Sequence, residues 1–227
     1  MPTTEPAPLE TAPRFPLRAA RAARTRSRIL SSAGALFASK GYGHTSMKAI
    51  AEHAGVSVES VYAAGSKATL LRLALELSFH DVDGAETMGE RDDIQSLFSQ
   101  PDLDVVLDGY VAAVVPAIAR SFGLWRVARA AADADPEIAV LWQRMIQTRQ
   151  RDFDAVGPWL LGRGLVAADR VDEAVGSWSV LAAHETYEHL VEQLGWSQDQ
   201  YAAWFRDALV VLVLRSHPTR SSHPTAP

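Results

Sequence analysis

The chain contains no cysteine, which excludes disulfides and thiolate chemistry and fits an expectation of a cytoplasmic protein. No unbroken run of eighteen apolar residues occurs, so no membrane partner is expected. Residues 1–13 hold four prolines and no basic residue, unlike the positive start and apolar middle of a secretory signal. Strand-like alternation does not persist anywhere, and no internal repeat at a fixed period is visible. A glycine-rich phosphate loop, a G-x-S-x-G elbow and a dinucleotide fingerprint are all missing. With no catalytic residues to name, no enzyme reading follows. The segment His184-Glu185-Thr186-Tyr187-Glu188-His189 comes nearest to a metal motif, but Glu188 stands where HExxH requires its second histidine. His184 and Glu188 share a helix face, yet two ligands do not make a site, so neither a metal nor a cofactor is expected.

What the chain does have is concentrated in residues 26–75. Ile29, Ala33 and Phe37 recur every four residues, widened by Leu30 and Leu36, which gives a first helix with one buried face. Gly41 follows the last periodic residue, where a left-handed cap favours glycine. Thr45 is the expected N-cap of a short helix carrying Met47, Ile50, Ala51 and Ala54. Ala54-Gly55-Val56 makes a tight turn, Ser57 caps a second short helix, and Val56 and Val61 fill the space between. Val58, Glu59, Ser60 and Tyr62 are left facing outward. This is a helix-turn-helix pattern, with a second helix sized for the major groove of DNA. The spacing alone also suits an αα-hairpin in some other bundle.

Charge separates the two. From Arg14 to Arg72 there are ten Lys/Arg against Glu52 and Glu59, a net +8, whereas residues 77–227 carry a net −10. The overall −5 hides a basic end and an acidic end, as expected of a protein that touches a polyanion with one part only. Six arginines between 14 and 28, Arg24 and Arg26 among them, are placed to contact phosphates or enter the minor groove. The alternative is a solvated arm.

At Ile29-Leu30, Ala33, Leu36-Phe37, Gly41-Tyr42, Thr45-Ser46-Met47, Ile50-Ala51, Ala54-Gly55-Val56-Ser57, Val61-Tyr62, Ser66-Lys67 and Leu70-Leu71, the chain resembles the TetR family of bacterial transcriptional repressors. It departs between Tyr62 and Lys67, where the connection is one residue short and lacks an aromatic residue usual in that family. The resemblance implies that Thr45 and Ser46 hold a phosphate at a helix N-terminus and that Tyr62 and Lys67 contact the backbone across the groove. It places Val58, Glu59 and Ser60 against the bases. There Glu59 could accept from cytosine N4 and Val58 touch a thymine methyl, unless Glu59 is only a solvated charge.

Beyond this segment, apolar-periodic stretches run through 67–83, 102–121, 123–133, 136–157, 170–194 and 198–215. The expected fold is therefore all-α. A disordered arm spans 1–20, a helix-turn-helix DNA-binding domain 21–68, a larger helical effector-binding and dimerisation domain 69–215, and a disordered tail 216–227. Pro136 after Asp135 marks one helix start, Ser197 with Gln200 reads as a capping box, and Gly157-Pro158 is expected to break or bend its helix. Pro116 is expected to kink another.

Residues 208–214, Ala-Leu-Val-Val-Leu-Val-Leu, are apolar all round and must be covered on more than one side. The cover is either the protein's own domain or, as the resemblance implies, the same helices of a second subunit. In that arrangement two recognition helices lie roughly 34–36 Å apart, one DNA turn. Tyr110, Trp125, Trp142, Met145, Arg149, Phe153 and Trp178 fall on helices that, by resemblance, surround an inducer pocket; read one by one as residues, they are ordinary core. The expected function is a homodimeric repressor that binds a palindromic double-stranded DNA operator and is released by a small, largely apolar effector. A constitutive DNA binder without ligand, and a helical binding protein that does not touch DNA, are the alternatives.

Overall fold

A computed structural model describes residues 15–80 and 88–215. Among them there is no strand; ten α-helical segments follow one another. They are α1 (Phe15–Lys40), α2 (Met47–Ala54), α3 (Val58–Ala64), α4 (Lys67–His80), α5 (Asp92–Phe98), α6 (Leu103–Ala132), α7 (Pro136–Gly162), α8 (Val171–Leu181), α9 (His184–Tyr187) and α10 (Gln198–Ala208). Wider π-type turns prolong α9 through Glu188–Gln193 and α10 through Leu209–Arg215. Helix α1 begins at Phe15, so residues 15–20 of the expected arm are helical; residues 1–14 and 216–227 lie outside the described residues.

Two apolar clusters organise the chain. The first gathers Ile29, Ala33, Phe37, Ile50, Val61, Leu70 and Leu71 from α1 to α4. It also takes in Leu124, Trp125, Ala128 and Ile138 from the end of α6 and the start of α7, so the two units share a packed seam. Helix α4 contributes Ala68, Leu70, Leu71, Ala74 and Leu75 to this cluster, well past residue 68, where the sequence divides. The second cluster is built by α6, α7, α8 and α10 around Leu107, Ile118, Leu160, Trp178, Tyr201, Phe205 and Leu209.

Several helices differ from the sequence pattern for visible reasons. The stretches at 102–121 and 123–133 form one helix, α6, which runs through Pro116. By length and composition alone α6 is long and apolar enough to cross a membrane. It is instead the central helix of the fold, with Val106, Leu107, Val114, Ala117, Ile118 and Ala128 all buried. Helix α7 does not stop at Gly157-Pro158; it continues to Gly162, because Leu160 is buried and the Trp159 Nε1–H donates to the Phe98 carbonyl at 2.9 Å. The expected single helix over 170–194 is broken after Leu181. Ala182, Ala183 and His184 are all buried there, and the break turns the His184 ring into the interior. The predicted capping box holds: Gln200 N–H donates to Ser197 Oγ at 3.1 Å and Ser197 N–H to Gln200 Oε1 at 2.8 Å.

Candidate DNA-binding face and candidate effector cavity

The DNA-binding candidate is built by three tight connections. Gly41 N–H closes α1 on the Phe37 carbonyl, but the N-cap of α2 is Ser46 rather than Thr45. Ser46 Oγ accepts from Ala49 N–H at 3.1 Å. Thr45 is buried, and its hydroxyl donates back to the Gly41 carbonyl at 2.8 Å, fastening the α1–α2 connection. The turn into α3 passes through Gly55 at φ 61°, a left-handed conformation where a side chain is strained. The Arg28 guanidinium clamps this turn from α1 by donating to the Ala54 carbonyl. The short connection between Tyr62 and Lys67 closes on Gly65 at φ 143°, where a Cβ would press within 2.7 Å of Thr69.

The placement of the sequence-predicted residues is uneven. Arg24, Arg26, Ser46, Glu59 and Tyr62 are exposed, Tyr62 at 64% of its surface. Glu59, Tyr62 and Ala63 share one exposed stripe of α3. The Glu59 carboxyl is held below its usual range by its own backbone N–H and by the Ser57 hydroxyl, so it is a stable anion at the start of this helix. Val58 is half-buried and packs on the first cluster, which draws it away from the exposed stripe. Ser60 lies within 3.0 Å of Ser57 through the two hydroxyls.

Lys67 is half-buried beside Tyr42. Its ammonium donates to the Tyr42 carbonyl at 2.9 Å and lies 4.1 Å from the centre of the Tyr42 ring. Two of its three donor hydrogens remain beyond that bond. His44 and Lys48 are exposed near Ser46 in sequence and were not singled out from the pattern. Their only signal is position, at a helix start on a basic surface.

The second site is a cavity of about 230 Å³ within the larger unit. Aromatic walls come from Phe79 at the end of α4, Phe98 of α5, Tyr110 of α6, and Phe153 and Trp159 of α7. Arg149, Asp152 and His184 bring polar groups to it. Of the seven expected residues, Tyr110, Arg149 and Phe153 line this cavity. Trp178 stands behind Tyr110, with ring centres 5.2 Å apart. Trp142 and Met145 pack on the first cluster instead, and Trp125 belongs to the seam. The family resemblance groups Trp142 with Phe153, but α7 is 27 residues long and passes both clusters.

Sequence reading missed Phe98, Trp159, Asp152 and the cavity role of His184. Asp152 accepts from the backbone N–H groups of Met88 and Gly89 at 3.2 and 2.8 Å, a contact across 64 residues that no local pattern announces. His184 is 3% exposed and stacks on Trp125 with ring centres 4.2 Å apart. Burial, with the nearby Arg149 charge, pushes the imidazole down to about 3, so it is neutral across the physiological range. Burial also pushes the Tyr110 phenol well above its usual range and lowers Arg149, against the pull of Glu185. His189, by contrast, is exposed and bonds Gln193, and no three metal-ligating side chains converge among the described residues.

Residues 29–74 match the model for bacterial regulatory proteins of the tetR family. No curated protein matches the chain. Among solved structures, NalD of Pseudomonas aeruginosa, the secondary repressor of the MexAB-OprM multidrug efflux pump, is 18% identical with a TM-score of 0.65. The alignment covers 86% of this chain and 98% of NalD. A protein of Mesorhizobium loti classed as a TetR-family transcriptional regulator is 22% identical, with a TM-score of 0.63 over 85% of this chain and 96% of its own. A protein of Saccharomonospora viridis classed as a transcriptional regulator, crystallised with choline, is 20% identical. Its TM-score is 0.60, over 82% of this chain and 95% of its own.

Proposed function

We propose, from the premise that this chain belongs to the TetR family of bacterial regulatory proteins, that it is a ligand-responsive transcriptional repressor acting as a homodimer. The observation that carries this reading is the reach of one helix. Helix α4 starts with Lys67 beside the helix-turn-helix and carries Phe79, in its last turn, to the wall of the aromatic cavity. A molecule that pushes on Phe79 therefore pushes on a helix that packs on α1, in the same apolar cluster that seats Val61 of α3. NalD is a repressor and the Saccharomonospora viridis protein holds choline, which supports repression and small-molecule binding on this architecture.

In this reading Arg24, Arg26, Ser46, Tyr62 and Lys67 position the protein on phosphates, while Glu59 contributes base discrimination. Thr45 acts indirectly by fixing the α1–α2 connection. Val180, Val211 and Leu212, large apolar side chains exposed on α8 and on the extension of α10, form the surface for a second copy. A dimer places two α3 helices on successive half-sites of a palindrome. Ligand binding favours a conformation whose α3 spacing no longer matches the operator, by no more than the ligand's differential affinity for the two states. Acting on chromosomal DNA, such a repressor works in the cytoplasm. The test is a screen of small aromatic compounds for release of the protein from labelled DNA taken from upstream of its own coding sequence. Binding that no cavity-sized compound relieves would instead favour a constitutive DNA-binding protein.

A further inference from the structure

We infer that the cavity selects a small, uncharged aromatic molecule bearing a hydroxyl, and that Nδ1 of His184 accepts the hydrogen bond from that hydroxyl. The inference rests on the ligand-binding reading above and adds the chemical class of the ligand. It starts from Ser121, which is fully buried on α6. Its hydroxyl has a single proton, and Oγ lies 2.8 Å from the Ala117 carbonyl and 3.2 Å from that of Ile118. Carbonyls only accept, so the proton goes to one of them. The third neighbour of Oγ is His184 Nε2, at 2.9 Å, and Oγ must accept from it. The proton of the neutral imidazole is thereby fixed on Nε2, and Nδ1 keeps a lone pair.

That Nδ1 has no hydrogen-bond partner among the described residues and is closed off from solvent, so a ligand that reaches it from the cavity must part the side chains around the ring. A buried acceptor left unmatched is costly, which makes it a place for a ligand donor. The ring has little freedom to turn away, because it stacks on Trp125 at an interplanar angle of 8°. Around it the cavity is aromatic, and at about 230 Å³ it falls below the roughly 300–1,000 Å³ of pockets for drug-sized ligands. A one- or two-ring molecule is the right scale.

Charge narrows the class further. The Arg149 guanidinium lies 5.6 Å from the Phe153 ring, at the cavity wall, and disfavours a cation. It already donates to the Ser179 carbonyl at 3.2 Å and lies 3.9 Å from Glu185. The carboxylate of Asp152 is engaged by the backbone of Met88 and Gly89. An anion would face the Nδ1 lone pair, which has no proton to give. What fits is a neutral aromatic body with one hydrogen to donate.

The test uses the full chain and isothermal titration with 2-naphthol, naphthalene and 2-naphthoate. The expected result is 2-naphthol binding at least tenfold tighter than naphthalene, with 2-naphthoate weaker than 2-naphthol. In His184→Phe, which keeps an aromatic ring against Trp125, the preference for 2-naphthol should fall to near unity while naphthalene still binds. A second readout needs no variant: nitrogen NMR of the histidine-labelled wild type should show the Nε2-protonated tautomer, with the Nδ1 signal moving on addition of 2-naphthol. Equal affinities for naphthalene and 2-naphthol, or a proton on Nδ1, would overturn the inference and leave the ligand-binding reading standing. Tightest binding of 2-naphthoate would overturn it in favour of an anion held by Arg149. Failure of all three compounds to bind would remove the ligand-binding reading itself.

Discussion

Ser66 Oγ donates to Glu137 Oε1 at 2.7 Å, joining the N-terminal turn of α4 to the N-terminal turn of α7 across 71 residues. The same Oγ accepts from Thr69 N–H at 3.1 Å, so one hydroxyl both caps α4 and ties it to the larger unit. Tyr42 joins this corner too. Burial, with Asp135 and Glu137 nearby, raises its phenol above the usual range, and it holds Lys67 through its carbonyl and ring. A double-mutant cycle on thermal stability with Ser66→Ala and Glu137→Ala should give a coupling of about 0.5–1 kcal/mol. Additive effects would show that the two helices meet without depending on this bond.

Lys67→Ala should act on two observables at once. Loss of the contacts to Tyr42 lowers stability by about 1 kcal/mol, and loss of a charge at the DNA face lowers the salt slope of binding by about one. Denaturant melts and salt-dependent anisotropy check both. A stability loss with an unchanged slope would mean that Lys67 only fastens α4 to Tyr42.

Glu59→Ala should change which base pairs are preferred more than it changes affinity for unrelated DNA, since a groove-facing side chain discriminates bases and a backbone contact does not. In-vitro selection with both proteins checks this. Recovery of the same operator from each would leave Glu59 with its helix-start role alone.

The neutral His184 gives stability a definite pH dependence. Its folded-state value, about 3, lies below the usual 6.5, so the unfolded chain takes up the proton first. The stability is fully present above pH 6.5 and is lost as pH falls toward 3, by about 1.4 kcal/mol per unit, or about 2 kcal/mol by pH 5. His184→Phe should be less acid-sensitive than the wild type over pH 6.5–5. Parallel pH profiles for the two proteins would show that the imidazole can be protonated in place.

Leu212, 45% exposed next to Val211, tests the assembly. In the proposed dimer, Leu212→Glu buries an unpaired carboxylate at a cost of several kcal/mol. The expected result is a helical monomer that no longer binds specific DNA, seen by sedimentation and circular dichroism. A wild type that sediments as a monomer at micromolar concentration would remove the palindrome mechanism.

The helix-turn-helix was legible because its determinants are local. The four-residue recurrence of Ile29, Ala33 and Phe37, the left-handed Gly55 and the capping of α3 by Ser57 lie within a few residues of what they control. Even there, Ser46 and Thr45 look alike as caps, and only the position of the Gly41 carbonyl assigns Thr45 inward. The cavity was half legible. Tyr110, Arg149 and Phe153 fall on helices that the family resemblance sets around a pocket, whereas Phe98, Asp152 and His184 reach it through contacts between distant segments. His184 was hardest to place, since apolar periodicity continues across 182–184 although the helix breaks there.

The central claim, a regulator that reads DNA with its basic end, is tested most directly by titrating a labelled duplex from upstream of its own coding sequence at several salt concentrations. The account predicts tight binding relative to an unrelated duplex, with affinity falling on the order of a thousandfold between 50 and 200 mM salt, as about six neutralised phosphates require. Equal affinity for both duplexes, or binding indifferent to salt, would contradict it.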